Sequence, residues 1–315
     1  ITPILTKYFY KRMFFYNPEV KPLFNMSNQN GTQQRALAAA ITAYADNIDN
    51  LEELDNVINL IVQKHVSLQI KSEHYPIVGK NLLAAIHQVL GELATEEVIN
   101  AWAEAYAFLA DLMIQREKKI YEDNTQKLGG WKGFRKFRVL YKHKESSNIS
   151  SFYLVPVDNN PLPSFKPGQY ITLRLPTLDG STTMRNYSLS DKPGTNWLRI
   201  SVKRETAPTS DIPEGYVSNY LHRNIEVDSE LEIAPPCGNF FLNMNAKHRR
   251  ALVFLAGGIG ITPIMSMLLV ALEARLNRKI ILIHSILNEE VQAFQNTLEK
   301  LNQEHGNLEV HYRYS

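Results

Sequence analysis

The 315-residue chain has a single cysteine, Cys237. One thiol cannot supply an intrachain disulfide, a Cys-x-x-Cys redox pair or a cysteine-based metal cluster. A disulfide-stabilised secreted scaffold is therefore excluded. The cysteine content is typical of a protein in a reducing compartment, and we expect the protein to be cytoplasmic.

The chain also lacks a strong charge of either sign. Its formal net charge is +2, and its hydrophobic and charged fractions, 44% and 21%, are those of an ordinary soluble protein. This balance gives no electrostatic reason to expect nucleic acid or an anionic membrane as a partner. No basic segment precedes a hydrophobic run near Ile1, so the sequence predicts no signal peptide.

An uninterrupted hydrophobic run is absent as well. Residues 251–272 carry no charge and could span a bilayer by length alone. Gly257, Gly258, Gly260 and Pro263 interrupt this stretch, so a buried strand, a loop and a helix explain it better than a membrane span.

The length of the chain predicts two or three domains. Apolar side chains recur every three or four residues in three stretches of the first 124 residues, 33–48, 51–65 and 102–120, which predicts a helical domain. We place a linker at 125–132, around a glycine pair.

The predicted secondary structure changes from helices to strands after the linker. Short strand patterns separated by Pro- and Gly-bearing turns predict an antiparallel β-barrel over 133–245. From residue 246 to 315 the pattern becomes strand, helix, strand, helix, strand, which predicts a parallel sheet in an α/β domain. The helices of this part are expected at 263–276 and 289–301.

A glycine-rich tract, Ala256–Pro263, joins the first strand of the α/β domain to its first helix. Glycines let a backbone approach a pyrophosphate, and a helix N-terminus offers free N–H groups to it. Pro263 occupies the third glycine position of the usual pattern, so the match is imperfect. A glycine turn kept for packing is the alternative.

One histidine stands on an apolar helical stripe. His65 ends the series Leu51, Leu54, Ile58, Ile61, which predicts a buried face. A hydrogen-bonded core histidine is the alternative to a metal ligand at this position. Two other histidines compete for that role, His74 in an expected loop and His87 near the apolar residues of another segment.

Three tracts together resemble the ferredoxin–NADP reductase-like family. Pro167–Tyr170 is followed by Arg185–Ser188 at the spacing of two barrel strands, and then by Gly215–Leu221, a turn leading into a short helix. The resemblance implies that Arg185 contacts the flavin diphosphate, that Tyr187 packs on the ring and that Ser188 lies near its reactive nitrogen. The full set of implied cofactor-binding residues is Tyr170, Arg185, Asn186, Tyr187, Ser188, Val217 and Ser218 for FAD, and Gly258, Ile259, Gly260, Ile261, Thr262 and Pro263 for the nicotinamide nucleotide.

The N-terminal part of the chain resembles the globin domain of the flavohaemoglobins. The resemblance is carried by Tyr8–Phe14, by Lys21–Asn28 and by the Lys64-His65 pair, and the order of the later modules is also that of the family. It implies that His65 is the proximal ligand of haem iron and that Tyr10 donates a hydrogen bond to O₂. The remaining residues implied to line or approach the haem are Phe24, Gln33, Leu37 and Lys64.

The resemblance further implies a polar pair, Tyr75 and Glu117, behind His65. A carboxylate on an apolar stripe needs a partner, and the alternative for Glu117 is a helix-end residue that reaches solvent. Tyr10, Tyr75 and Glu117 are thus the implied catalytic residues.

The fold implied is a globin domain, an FAD-binding barrel and an incomplete α/β nicotinamide-binding domain. The implied activity is a nitric oxide dioxygenase that converts NO and O₂ to nitrate with haem b, FAD and NADH or NADPH. We expect small-molecule partners, no nucleic acid, no membrane insertion and a monomer. The stretch 284–289 has no Lys or Arg and contains Glu289, which favours NADH.

Two other functions fit parts of the sequence. The chain could be a haem-free flavin or ferric reductase, or a haem-based O₂ or NO sensor without enzymatic activity. The flavin and glycine tracts argue against the sensor, since a protein that only binds O₂ or NO needs no site for a hydride donor.

The chain departs from the family at both ends and in one loop. Most of the first globin helix and the last strands of the nicotinamide domain are expected to be missing, and a molecule ending at Ser315 is expected to bind nicotinamide weakly. The Thr206–Glu214 segment is interpreted as an added loop beside the flavin.

Overall fold

The computed structural model describes residues 2–24, 32–207, 209, 211–244, 250–275 and 278–315, with the backbone alone at 2 and 32–33. The chain folds into two compact units. One contains residues 1–124 together with 176–184, and the other contains residues 125–175 and 185–315.

The N-terminal part of the first unit is helical, as the apolar periodicity predicts. The helices are α1 Thr2–Tyr16, α2 Thr32–Asp46, α3 Asp55–Ser67, α4 His74–Leu90 and α5 Glu96–Gln126. Two apolar clusters fill its interior, one around Phe9 and Met13 and the other around Ile58, Val62 and Met113.

The start of α4 differs from the expectation in one respect. His74 is the first residue of this helix rather than a loop residue. Pro76 lies in the first turn, where the missing N–H of proline removes no intrahelical hydrogen bond. His74 Nδ1 accepts a hydrogen bond from the Lys71 backbone N–H at 3.0 Å, so that nitrogen is engaged locally.

A six-stranded antiparallel sheet of order β4-β3-β6-β1-β2-β5 follows the helices along the chain, which confirms the predicted antiparallel domain. Its strands are β1 Arg135–Lys144, β2 Ile149–Pro156, β3 Tyr170–Pro176, β4 Thr182–Ser188, β5 Leu198–Lys203 and β6 Glu230–Cys237, with helix α6 at Tyr216–Asn224. Side chains such as Phe137, Phe152 and Leu173 are fully buried between the strands.

A parallel sheet of order β7-β8-β9 follows, as the alternating strand and helix patterns predict. Its elements are β7 Leu252–Gly257, α7 Ile261–Glu273, β8 Ile280–Ile286, α8 Gln295–Glu304 and β9 Leu308–Tyr314. In the register of the sheet, Ala256 lies beside His284, and His284 beside Tyr312.

The prediction for α8 was wrong at its N-terminus, because the helix begins at Gln295 and not at Glu289. Residues Glu289–Val291 form a separate 3₁₀ turn, and Phe294 adopts a left-handed backbone with φ of 61°. Such a φ cannot continue a right-handed helix, so the two segments are separated there.

None of the helices in the described ranges is long and apolar enough to cross a membrane. The uncharged stretch 251–272 is strand β7, a glycine turn and helix α7, which confirms the expected order of strand, loop and helix, although β7 alternates between buried and exposed side chains.

Candidate functional site

Three side chains that are distant in sequence meet in the helical unit. His65 of α3 lies with its Nδ1 2.8 Å from Glu117 Oε1 on α5 and 3.2 Å from the Tyr75 hydroxyl on α4. The Tyr75 hydroxyl donates to the same Oε1 at 2.5 Å. The structure therefore brings together the histidine and the polar pair that the sequence analysis singled out.

Glu117 does not reach solvent, since its side chain is 3% exposed. A buried carboxylate is tolerated only with hydrogen-bond partners, and here it accepts from both His65 and Tyr75. Because a carboxylate acts as an acceptor, the histidine proton must sit on Nδ1. That tautomer leaves an unshared electron pair on Nε2.

Tyr75 is held in place by a second tyrosine. The Tyr106 hydroxyl donates to the Tyr75 backbone carbonyl at 2.6 Å. The ring of Tyr106 occupies the space beside Gly79, where a Cβ atom would stand only 2.5 Å from a ring carbon. Burial, and then the hydrogen bond to Glu117, raise the pKa of the Tyr75 phenol, so it remains a donor at neutral pH.

A second group of side chains surrounds Tyr10 on α1. Tyr10 is buried, and Phe24 and Leu37 pack against the same cluster. The rings of Tyr10 and Phe24 cross edge-to-face with their centroids 5.7 Å apart. Burial raises the pKa of Tyr10, so its hydroxyl is protonated. The side chain of Gln33 lies outside the described residues, and Lys64 is exposed on α3.

The surroundings of His65 would suit a ligand of haem iron. Its side chain is 31% exposed, and in the part of the chain that the structure describes its hydrogen bonds are all made through Nδ1. A neutral imidazole with Nδ1–H fixed by a carboxylate is the usual arrangement of a metal-bound histidine.

The tract Arg185–Ser188 forms the end of β4, and its four side chains are half-buried. Asn186 Oδ1 accepts a hydrogen bond from the Thr172 hydroxyl at 3.0 Å. Burial lowers the pKa of the Arg185 guanidinium, and burial raises the pKa of Tyr187. A cation held in a partly desolvated place is suited to an anionic ligand.

Tyr170 lies at the start of β3 against a glycine. A Cβ atom at Gly238 would stand 2.7 Å from the Tyr170 ring, and φ of Gly238 is 115°. Any other residue at 238 would push the ring away. The tyrosine is half-buried, and its position is therefore fixed by the backbone of the strand end next to it.

Val217 and Ser218 lie in the first turn of α6, after the N-cap Gly215. The Ser218 hydroxyl donates to the Gly215 carbonyl at 3.0 Å and accepts from the Glu205 N–H at 3.2 Å. Since the hydroxyl is engaged within the protein, the backbone N–H groups of this turn are the better candidates for phosphate contacts.

The glycine tract ends β7 and opens α7 through a 3₁₀ turn at Gly258–Gly260. Gly258 has a φ of 48°, and no heavy atom lies within 4 Å of a Cβ position built at Gly257, Gly258 or Gly260. The outer side of the turn is thus open for a ligand to approach the backbone. Residues 261–263 form the first turn of α7, where Ile261 and Thr262 are buried and Pro263 is half-buried.

Sequence reasoning missed one contact at this loop. His284 Nε2 lies 2.9 Å from the Gly258 carbonyl oxygen. The sequence does show that His284 is polar and directly follows the apolar run Ile280–Ile283, but it does not show which group the imidazole contacts.

Three family models match the chain in this order. The globin model matches residues 7–113, the oxidoreductase FAD-binding domain model matches 136–242, and the oxidoreductase NAD-binding domain model matches 254–315. A flavohemoprotein of Rhodopirellula baltica is 48% identical over 311 residues, which are 98% of this chain and 76% of the relative. The chain belongs to the flavohemoprotein family.

Other members are similarly close. A flavohemoprotein of Halalkalibacterium halodurans is 48% identical over 98% of this chain and 74% of the relative. Among solved structures, the flavohemoglobin of Malassezia yamatoensis with bound FAD and heme matches all of this chain and 80% of that chain, with 26% identity and a TM-score of 0.85.

A further solved structure matches part of the chain. The flavohem-like FAD/NAD-binding domain of a nitric oxide dioxygenase from Vibrio cholerae matches 57% of this chain and 75% of that chain, with 29% identity and a TM-score of 0.52. Membership of this family confirms the predicted fold, which combines a globin domain, an FAD-binding domain and a nicotinamide-binding domain. The domain boundaries and the roles of individual residues stay predictions.

Proposed function

We propose that the protein is a nitric oxide dioxygenase that protects against nitrosative stress. It converts NO and O₂ to nitrate with electrons from NAD(P)H, which pass through FAD to haem b. Membership of the flavohemoprotein family supports this activity. The observation that carries it is the buried Glu117, which holds both His65 and Tyr75.

His65 would hold the haem iron through Nε2, and Tyr170, Arg185–Ser188 and the first turn of α6 would hold FAD. When bound, the flavin accepts a hydride and releases single electrons, and the haem binds O₂ and accepts those electrons. Each hydride carries two electrons and each NO converted to nitrate takes one, so two NO are consumed per NAD(P)H.

Glu117 and Tyr75 act on the orientation and basicity of His65. The carboxylate fixes the imidazole as the Nδ1–H tautomer, so Nε2 is left with an unshared electron pair. An anionic acceptor on Nδ1–H makes the imidazole a stronger electron donor. Tyr75 keeps the carboxylate in place, since its hydroxyl donates to the same oxygen.

Tyr10 supplies a neutral hydrogen-bond donor. Its raised pKa follows from burial, and in the described residues its hydroxyl has no hydrogen-bond acceptor of its own. The packing of Phe24 and Leu37 in the same cluster excludes water from its surroundings. A protonated phenol in an apolar place is suited to stabilise a small ligand that gains negative charge.

The coenzyme, compartment and assembly are parts of the same proposal. Glu289 and the absence of Lys and Arg from 284–289 support NADH, because a carboxylate repels a 2′-phosphate. The single cysteine is buried, and burial raises its pKa to about 12, which supports a stable thiol in the cytoplasm. We propose that the protein acts as a monomer, with no nucleic acid or membrane as a partner.

Nitrate formation tests the function directly. The chain loaded with haem and FAD is mixed with NADH, O₂ and NO, and nitrate is measured against NADH consumed. We expect two nitrate per NADH, and absence of nitrate would contradict the proposal. A missing Soret band after haem addition would favour the haem-free reductase, and a haem that NADH cannot reduce would favour the sensor.

Replacing Tyr10 by phenylalanine is expected to speed the release of O₂ about 10- to 100-fold, since a hydrogen bond to a charged acceptor contributes about 1.5–3 kcal/mol. Stopped-flow displacement of O₂ measures this rate. Tyr16→Phe on the exposed part of the same helix is the matched control and should leave the rate unchanged. An unchanged rate in Tyr10→Phe would remove Tyr10 from this role.

Replacing Glu117 by glutamine is expected to lower NO dioxygenase turnover roughly 10- to 100-fold, the usual effect of losing a hydrogen-bond partner of a metal-bound histidine. The neutral amide also makes the imidazole a weaker electron donor, so the haem reduction potential should rise. Glu104→Gln, exposed on the same helix, is the control. A potential that stays at the wild-type value would refute the electronic role of Glu117.

A further inference from the structure

His284 is a buried titratable residue that the proposed mechanism does not use. It lies on β8 with no exposed surface, between Ala256 on one neighbouring strand and Tyr312 on the other. The core around it consists of apolar side chains such as Phe254 and Leu282. An apolar residue would pack there without the desolvation cost of an imidazole.

The two nitrogens of His284 have different surroundings. Nε2 lies 2.9 Å from the Gly258 carbonyl oxygen, and since a carbonyl can only accept, Nε2 carries the proton. Nδ1 is buried and finds no hydrogen-bond partner within the described ranges. Burial lowers the pKa of His284, so the neutral form is the one that makes this contact. The histidine therefore leaves one nitrogen unsatisfied while the other holds the loop.

Holding the Gly258 carbonyl fixes a whole peptide plane. In a trans peptide the carbonyl and the following N–H point in opposite directions. The Gly258 carbonyl is drawn toward β8 and also accepts the Ile261 N–H. The Ile259 N–H must then point away from β8. The loop is open on its outer side, where no atom lies near the Cβ positions of Gly257, Gly258 and Gly260.

We propose that His284 is a positioning residue of the nicotinamide-nucleotide site, which holds the Gly258 carbonyl inward so that the Ile259 N–H faces the diphosphate of the coenzyme. This inference rests on the proposed function, in which the glycine loop binds NAD(P)H. Without the imidazole N–H, the peptide plane between Gly258 and Ile259 can rotate and present a carbonyl oxygen to an anion.

Three substitutions separate the donor from the bulk of the ring. His284→Phe retains a buried ring and removes the Nε2–H donor. His284→Gln places an amide N–H near the position of Nε2, whereas the shorter His284→Asn places it near Nδ1. Ser266→Ala is the control, because Ser266 is another buried polar residue of this core whose hydroxyl has no partner in the described structure.

Equilibrium binding of ADP-ribose and of adenosine, measured by calorimetry on the FAD-loaded chain, is the main readout. ADP-ribose carries the diphosphate and adenosine does not. We expect His284→Phe and His284→Asn to weaken the binding of ADP-ribose at least about tenfold, the lower end of the loss typical of one hydrogen bond to a charged group, and to leave the binding of adenosine unchanged. His284→Gln should bind ADP-ribose within about twofold of wild type, as should Ser266→Ala.

Steady-state kinetics with ferricyanide as the electron acceptor give a second readout that does not depend on haem. The KM for NADH should rise about tenfold in His284→Phe while kcat stays near wild type, because a misplaced diphosphate contact weakens binding of the coenzyme. A general loss of folding would lower kcat and the FAD content as well.

Several results would overturn the inference. They are an unchanged ADP-ribose affinity in His284→Phe, an equal loss for ADP-ribose and adenosine, and a His284→Gln variant as weak as His284→Phe. If His284→Phe fails to fold, the comparison of the glutamine and asparagine variants still shows whether ADP-ribose binding requires an N–H at the position of Nε2. A wild-type chain that binds ADP-ribose but forms no nitrate would contradict the proposed function alone.

Discussion

Replacing His65 by alanine is expected to abolish haem retention and NO consumption. The imidazole is the group that Glu117 and Tyr75 orient, and no other side chain is held this way in the described part of the helical unit. The loss of haem affinity and of NO consumption should exceed the roughly 10- to 100-fold loss that is typical when a hydrogen-bond partner of a metal ligand is removed. The Soret absorbance after haem addition and the rate of NO consumption measure it.

The flavin half of the protein provides the internal control for this substitution. NADH-dependent reduction of ferricyanide should be unchanged in His65→Ala, because the FAD and nicotinamide residues lie in other parts of the chain. His87→Ala, exposed on α4, should retain haem. If His87→Ala or His74→Ala loses haem and His65→Ala retains it, the ligand has been assigned to the wrong histidine.

Replacing Arg185 by alanine is expected to weaken FAD binding about 10- to 100-fold, since a charge-assisted hydrogen bond to a phosphate contributes about 1.5–3 kcal/mol. The half-buried guanidinium would compensate the diphosphate charge at a position that water screens poorly. Flavin released during gel filtration, and the dissociation constant from flavin fluorescence, measure the effect.

A neighbouring arginine is the matched control for this prediction. Arg174 on β3 is paired with Glu232 at 2.8 Å at a partly exposed position, and Arg174→Ala should leave FAD affinity unchanged. The haem spectrum should be normal in both variants. An Arg185→Ala protein that retains FAD as tightly as wild type would show that Arg185 does not contact the diphosphate.

Local patterns in the sequence account for much of the fold. Apolar residues at helical spacing predicted the helical unit, and short strand patterns separated by turns predicted the antiparallel sheet. They could not predict the start of α8, because the break depends on the left-handed backbone of Phe294. Phenylalanine has no intrinsic preference for that conformation, so tertiary contacts impose it.

The candidate site was predictable only in part. Glu117 was noticeable because a carboxylate on an apolar stripe needs a partner, and the structure provides His65 and Tyr75. The close approach of Tyr106 to Gly79 has no local signal, because it depends on how α5 packs on α4. The contact between His284 and the Gly258 carbonyl depends on the register of two parallel strands, which the sequence alone does not specify.

Anaerobic reduction by NADH tests the electron path most directly. The haem- and FAD-loaded chain is mixed with NADH under carbon monoxide in a stopped-flow instrument, and flavin and Soret absorbance are followed together. The proposed path predicts that flavin absorbance falls first and that the ferrous–CO Soret band then appears, and that both changes are lost when the FAD is removed from the chain. A Soret band that stays ferric while the flavin is fully reduced would contradict electron transfer from flavin to a haem at His65.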